Sequence, residues 1–254
     1  MIRVILNGYN GKMGKVLVKL ISLDNEMEIV AGIDRDISKS CDFPIYSDIA
    51  KCSERGDVVI DFSHHSALPY LIDYCLSTKT PLLTATTGLD GEIVERLVSV
   101  SKEIPVFQTA NMSLGVNIVT KLVQLASKAL GESFDIEIIE AHHNKKVDSP
   151  SGTAYMIANS INEALDNKME YIYGRYGKSD IRKSTDIGIH AIRGGTISGE
   201  HTIIFAGPDE VIEIKHTALS KDVFALGAIK AAKYLVSQEK GLYNMNDVIR
   251  KIEK

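Results

Sequence analysis

Ile2-Arg-Val-Ile-Leu6 runs straight into Asn7-Gly-Tyr-Asn-Gly-Lys-Met-Gly14, a short apolar strand that empties into a glycine loop. Val16, Leu17, Leu20 and Ile21 then recur at helical spacing, and Glu28-Ile-Val-Ala-Gly-Ile33 gives a second apolar strand that stops at Asp34. This is the signature of a βαβ unit. Gly8, Gly11 and Gly14 stand at the spacing G-x-x-G-x-x-G, a variant of the dinucleotide fingerprint. In that motif the glycines provide a tight turn, close approach to a pyrophosphate and close packing of helix on strand. Asp34 follows Gly14 by about twenty residues, where a carboxylate accepts hydrogen bonds from a ribose. Arg35 beside it offers a guanidinium to a 2′-phosphate, so the pair leaves NADH and NADPH both open.

Outward from this unit, strands and helices alternate. Val58-Val-Ile-Asp-Phe62, Pro81-Leu-Leu-Thr-Ala85 and Pro105-Val-Phe-Gln108 read as strands, and 67–76 and 93–100 as helices. That rhythm predicts an α/β fold, a Rossmann-like doubly wound parallel sheet. Ligands on such sheets bind at strand C-termini, which here are Asp61-Phe-Ser-His64, Ala85-Thr-Thr-Gly88 and Thr109-Ala-Asn-Met-Ser113. Beyond a helix over 116–130 the pattern changes. Strands at 134–141, 187–192, 196–205 and 210–215 suggest an inserted α+β domain on an open, mixed and largely antiparallel sheet, with a polar region over 171–184. The alanine-rich helix over 223–236 is expected to return to the first domain. The expected division is therefore 1–113 with 221–254 for the dinucleotide, and 114–220 for substrate and oligomerisation.

The densest chemistry lies in Glu140-Ala-His-His-Asn-Lys-Lys-Val-Asp-Ser-Pro-Ser-Gly-Thr-Ala154. His142 and His143 fall where a strand ends. Ala154, Ile157, Ala158, Ile161, Ala164 and Leu165 mark the apolar face of a following helix, with Ser151 as its N-cap. A helix that opens Ser-Gly-Thr presents backbone N–H groups and a positive dipole end to an anion, and Gly152 permits close approach. With Lys145 and Lys146 nearby, a small acidic substrate is the expected occupant. Against this stands the ordinary reading of loop lysines and paired histidines as surface or capping groups.

The 254-residue chain is 44% hydrophobic with a formal net charge of −4, which fits a soluble enzyme and argues against a nucleic-acid partner. Nothing in it approaches the roughly twenty apolar residues of a membrane span, and no signal peptide is read, so a cytoplasmic location is expected. Cys41, Cys52 and Cys75 are scattered and odd in number, consistent with reduced thiols, and no metal site is expected. His142 and His143 are adjacent, so on an extended chain their side chains diverge, which disfavours a metallohydrolase.

Over nearly its whole length the chain resembles the dihydrodipicolinate reductase family, now called 4-hydroxy-tetrahydrodipicolinate reductases. The resemblance rests on Asn7 through Gly14, Ala85-Thr-Thr-Gly88, Asn111-Met-Ser-Leu-Gly115, Glu140 through Ala154, and Gly199-Glu-His201. It implies NAD(P)H-dependent reduction of a cyclic dicarboxylic substrate in lysine and diaminopimelate synthesis, with loss of water, in a homotetramer built through the inserted sheet. By the same resemblance His142 is the proton donor or acceptor and Lys146 the second proton donor. His143, Ser151, Gly152 and Thr153 become substrate-binding positions. Gly8, Tyr9, Asn10, Gly11, Lys12, Met13, Asp34, Arg35, Ala85, Thr86, Thr87, Thr109, Ala110, Asn111 and Met112 become cofactor-binding ones. Asn144, Lys145, Ala85, Met112 and Lys221 depart from the family's usual residues. Two rivals stay open: a dinucleotide-binding regulator of the same fold without turnover, and a related amino or hydroxy acid dehydrogenase.

Overall fold

The computed structural model describes residues 1–38, 41–178 and 181–252, so residues 179 and 180 of the polar region and the last two of the 221–254 segment lie outside the described residues. In chain order the elements are β1 (Ile2–Asn7), α1 (Lys12–Ile21), β2 (Met27–Ile33), β3 (Ile45–Tyr46), β4 (Val58–Asp61), α2 (Leu68–Thr78), β5 (Leu82–Thr84), α3 (Gly91–Val100) and β6 (Pro105–Gln108). Then follow α4 (Leu114–Leu130), β7 (Asp135–His142), α5 (Gly152–Ala164), β8 (Glu170–Tyr173), β9 (Asp186–Arg193), β10 (Gly199–Ala206) and β11 (Val211–Ala218). The chain closes with α6 (Asp222–Leu235), β12 (Gly241–Tyr243) and α7 (Met245–Ile252). It divides into two compact units, Met1–Leu114 with Asp222–Lys254, and Gly115–Lys221. No described helix is long and apolar enough to cross a membrane.

The first unit holds a seven-stranded sheet in the order β12-β6-β5-β4-β1-β2-β3, with every pairing parallel. Its central strands are apolar on both sides because both faces are covered, as parallel sheets require. Val4, Leu6, Val58, Ile60, Leu83 and Phe107 pack with α1, α6 and α7, while Ile5, Val59, Leu82 and Val106 pack with α2 and α3. Alternate residues of each strand therefore feed opposite cores, which is the doubly wound arrangement. The alanine-rich helix lies against α1 and β4–β6, with Ala225, Ala228, Ala231 and Ala232 fully buried. The strand order reverses at β1, between β2 and β4, so the crevice above Asn7 and Asp61 is the topological switch point. The short strands β3 and β12 and the terminal helix α7 are additions that periodicity does not reveal.

The second unit holds a five-stranded sheet, β11-β10-β7-β9-β8. One face carries Ile136, Ile138, Ile187, Ile189, Ile203 and Phe205 against Val119 and Val123 of α4 and Ile157 and Ile161 of α5. The sheet is mixed rather than largely antiparallel: β10 pairs antiparallel with β7 and β11, whereas β9 pairs parallel with β7 and β8. One of the two parallel pairs comes from β8, a strand that overlaps the start of the region read as polar. The chain crosses from β7 through α5 to β8, and a helical crossover returns the next strand parallel.

Candidate active site

In the first unit a cavity of about 790 Å³ is lined by Gly8, Gly11, Asp34, Arg35, His64 and Tyr70 among others. Gly8 has φ +81°, and a Cβ there would stand 2.6 Å from the Phe62 carbonyl oxygen, so only glycine turns the chain at this point. A Cβ at Gly14 would run into the Gly8 and Tyr9 carbonyl oxygens, so its absence lets α1 seat against the loop. Gly11 is the N-cap of α1 and supplies no side-chain hydrogen bond, which leaves the helix start to bind an anion. Asp34 is tied to the same loop, its Oδ2 accepting from the Asn10 N–H at 3.1 Å. The glycine cradle, the helix start and a carboxylate after the second strand fit a dinucleotide.

The other positions expected at the cofactor stand in different settings. Lys12 and Met13 open α1, and Ala85, Thr87 and Ala110 lie partly or fully exposed on strand-end turns. Thr109 Oγ1 accepts from the Asn111 N–H at 3.4 Å, and Asn111 Oδ1 accepts from the Ser113 N–H at 2.9 Å, a self-bonded turn. Tyr9 and Met112, by contrast, are core side chains; Tyr9 packs edge-on to Phe43 at 5.9 Å, and Gly227 of α6 makes room for the Met112 carbonyl. Beneath the turns lies a hub that the motifs do not name. The fully buried Asp61 accepts from Asn7 Nδ2 (2.8 Å), the Ser63 N–H (3.1 Å) and Oγ (2.6 Å), Thr84 Oγ1 (2.9 Å) and Thr86 Oγ1 (2.8 Å). It thereby ties together the C-terminal ends of β1, β4 and β5.

In the second unit the polar cluster grows from the apolar face of its sheet. Ile136 and Ile138 point into the core, and the same alternation carries Glu140 and His142 to that face. Glu140 is fully buried and accepts four hydrogen bonds. Arg193 Nη1 (2.8 Å) and His142 Nδ1 (2.6 Å) reach Oε2, while Arg193 Nη2 (2.8 Å) and the Ser151 N–H (3.0 Å) reach Oε1. Burial pushes its carboxyl up, but the hydrogen bonds from Arg193, His142 and Ser151 outweigh it and hold the group below the usual carboxylate range. An ionised carboxylate only accepts, so His142 Nδ1 carries its hydrogen and Nε2 is the nitrogen left for proton exchange. That edge of the ring faces Gly199, where a Cβ would stand 3.1 Å from Nε2.

Ser151 caps α5 as expected, its Oγ accepting from the Ala154 N–H at 3.1 Å and meeting His201 Nε2 at 3.1 Å. His201 sits edge-on to His142 at 5.3 Å, and burial, with His142 nearby, pulls its pKa down to about 4, so it is neutral at neutral pH. Gly152 is exposed, with open space where a Cβ would stand, and Thr153 is half-buried beside it. His143 and Lys146 lie on the loop after β7. Lys146 Nζ donates to both oxygens of Asp148 at 2.8 and 2.9 Å, and this contact holds Asp148 below the usual carboxylate range. Lys146 is thus held by a partner on its own loop, whereas His142 is held on a strand by Glu140. Among the described residues no group of three or more His, Cys, Asp or Glu is placed to hold a metal ion.

Glu140 falls inside the quoted motif without a role, and Arg193 lies outside every motif. Each continues the inward parity of its strand, a signal that marks them as charged groups on an apolar face.

Comparison with known proteins places both units in one family. The family description "Dihydrodipicolinate reductase, N-terminus" matches residues 2–112, and "Dihydrodipicolinate reductase, C-terminus" matches residues 115–249. A protein of Caldanaerobacter subterraneus subsp. tengcongensis named 4-hydroxy-tetrahydrodipicolinate reductase is 55% identical over 251 residues, covering 99% of each chain. One of the same name from Clostridium tetani is 50% identical, covering 97% of this chain and 96% of its own. Among solved structures, a dipicolinate-bound dihydrodipicolinate reductase from Paenisporosarcina sp. TG-14 superposes with a TM-score of 0.82 at 25% identity, covering 97% of this chain and 99% of that one. With both family halves matched in order and relatives aligned end to end, the chain belongs to the dihydrodipicolinate reductase family of oxidoreductases.

Proposed function

We propose that this chain reduces 4-hydroxy-tetrahydrodipicolinate to tetrahydrodipicolinate, with loss of water, using NADH or NADPH. The observation that carries the reading is the Glu140–His142 pair beside the open, Ser151-capped start of α5, in a chain 55% identical to a reductase of that name. One cluster thus offers a fixed proton-exchanging imidazole and an anion-binding helix end, which suit a dicarboxylate undergoing proton-coupled reduction. The dipicolinate in the Paenisporosarcina protein is a ring dicarboxylate of the same kind.

In this reading the backbone of Ser151, Gly152 and Thr153, with His143, binds a substrate carboxylate. Lys146 gives a proton to the ring nitrogen as negative charge builds there. His142 exchanges a proton through Nε2, with Glu140 keeping its Nδ1 hydrogen in place. The nicotinamide, when bound, supplies the hydride taken up at the ring C4. Gly8 through Met13 hold the pyrophosphate, and the turns at 85–87 and 109–112 border the nicotinamide end. Asp34 accepts from the adenosine ribose and Arg35 faces a 2′-phosphate, so both cofactors are admitted; the chemistry asks for no metal. The outer face of the five-stranded sheet, where Ile192 and Val211 are exposed, serves as the contact of a homotetramer in the cytoplasm.

The test is to follow NADH absorbance while a dihydrodipicolinate synthase generates the substrate from pyruvate and aspartate semialdehyde. Oxidation that requires every component supports the reading. Silence from a protein that binds NADH would transfer it to the non-catalytic dinucleotide-binding reading.

A further inference from the structure

Arg193, the last residue of β9, grips both halves of the second unit's cluster with its two terminal nitrogens. One donates to each oxygen of Glu140 at 2.8 Å, and Nη2 also donates to the Asp148 carbonyl oxygen at 2.7 Å. Its buried Nε–H has no hydrogen-bond partner among the described residues, so the grip on these groups rests on the fork. Through Glu140 the fork reaches His142 and the Ser151 N–H at the start of α5. Through Asp148 it reaches the loop residue whose carboxylate holds Lys146.

We infer that Arg193 is a positioning residue for the reduction proposed above, on which the inference rests: its fork fixes His142 through Glu140 and the Lys146 loop through Asp148. A carboxylate offers about four lone-pair sites, and at Glu140 all are taken. Removing the fork strips one donor from each oxygen of a fully buried group. The carboxylate then turns to share the donors that stay, and His142 Nδ1–H loses its fixed acceptor. Around the ring stand Glu140 from its own strand, Arg193 from β9, and Gly199 and His201 from β10. His201 is neutral and supplies no replacement charge. The imidazole then samples the other tautomer, in which the exchanging nitrogen holds the wrong proton. Lysine is no substitute, because an ammonium is a point charge and cannot span both oxygens and the Asp148 carbonyl.

The experiment uses the full chain, its histidines labelled with ¹⁵N, as wild type, Arg193→Lys and Arg193→Met. NMR reads the His142 tautomer, and steady-state kinetics read kcat and both KM values. In both variants the Nδ1–H form is expected to fall from dominant to a mixture, and kcat to fall about 10- to 100-fold, the scale seen when outer partners that orient metal-bound histidines are removed, and less than the roughly 10⁴-fold loss when the carboxylate touching a catalytic histidine is itself changed. The KM for NADH should stay within about twofold, because the nucleotide fold is untouched. A wild-type tautomer in Arg193→Lys with kcat within about threefold would overturn the inference. Collapse of the second unit's spectrum in both variants would overturn it too, by making Arg193 a purely structural residue. The tautomer is read without turnover, so an inactive wild type whose His142 still depends on Arg193 would sink the proposed reaction alone. An active enzyme whose tautomer ignores Arg193 would sink the positioning role alone.

Discussion

Glu140→Gln keeps the shape of the buried side chain and removes its charge, so its cost can be worked from the four donors around it. Both oxygens accept two hydrogen bonds each, and the amide that replaces one oxygen only donates. If the NH₂ faces His142, the Arg193 Nη1 contact becomes donor against donor and His142 must change tautomer; if it faces Ser151, a backbone N–H and Arg193 Nη2 lose their acceptor. Either way about two charge-assisted bonds go, each worth roughly 1.5–3 kcal/mol. The Arg193 side chain keeps 19% of its surface exposed and recovers some hydration, so the lower end applies, about 3 kcal/mol. Hydrogen exchange of the β7 and β10 amides reads this directly. At 1.4 kcal/mol per tenfold, the slowest amides should exchange about 100-fold faster in the variant at neutral pH. The pH dependence has a defined sign. The folded-state pKa of Glu140 lies below its unfolded value of about 4.3, so its stabilisation is complete above that value. It is lost as pH falls through the depressed folded value, and the gap between wild type and variant must close there. A difference below about fivefold at pH 7, or a gap that widens on acidification, would refute this account of the hydrogen bonds.

Lys146→Ala should lower kcat by about 10²- to 10⁴-fold with the NADH dissociation constant unchanged, and equal losses in both would assign the lysine to structure. Arg35→Ala should weaken NADPH about tenfold or more, the worth of a charge-assisted contact, and leave NADH alone; titration calorimetry with both nucleotides decides, and an unchanged ratio removes Arg35 from the 2′-phosphate. Asp61→Asn should cost no more than about 1 kcal/mol, because the hydroxyls of Thr84 and Thr86 can turn from donating to accepting. Asp61→Ala strands both hydroxyls and should cost roughly 2–5 kcal/mol in urea unfolding; equal effects of the two substitutions would show that the hub is not held by hydrogen bonding.

The doubly wound sheet was readable because local rules and global packing agree there. The run Ile2 to Gly14 needs only periodicity, a loop of glycines and an acid after the next strand, all within about thirty residues. What periodicity misses is what depends on partners distant in sequence. β3 has two residues and β12 three, too short to alternate, and each exists because a longer strand offers it an edge. β8 lies hidden among polar residues, with Tyr171 packed at the margin of the core and its flanks exposed, and its absence makes the inserted sheet read as more antiparallel than it is.

The candidate site divides along the same line. His142, Lys146 and Ser151 stand on one continuous segment, and their chemistry shows in the order of the letters. The groups that hold them do not. Glu140 is two residues from His142, but its role follows only from burial, and burial follows from Ile136 and Ile138 taking the inward face before it. Arg193 arrives through the parallel register of β9 on β7, which sets it opposite His142. His201 arrives through the antiparallel register of β10, which sets it opposite Glu140. Each of these three continues an apolar alternation with a polar side chain: Ile187 and Ile189 lead to Arg193, and Phe205 and Ile203 lead back to His201. A charged or imidazole residue that keeps the inward parity of a hydrophobic strand must find partners or unfold the strand, because an unpaired buried charge is not tolerated. Three such strands ending together leave those side chains to one another, and the end of an ordinary hydrophobic core becomes the place where protons can be held.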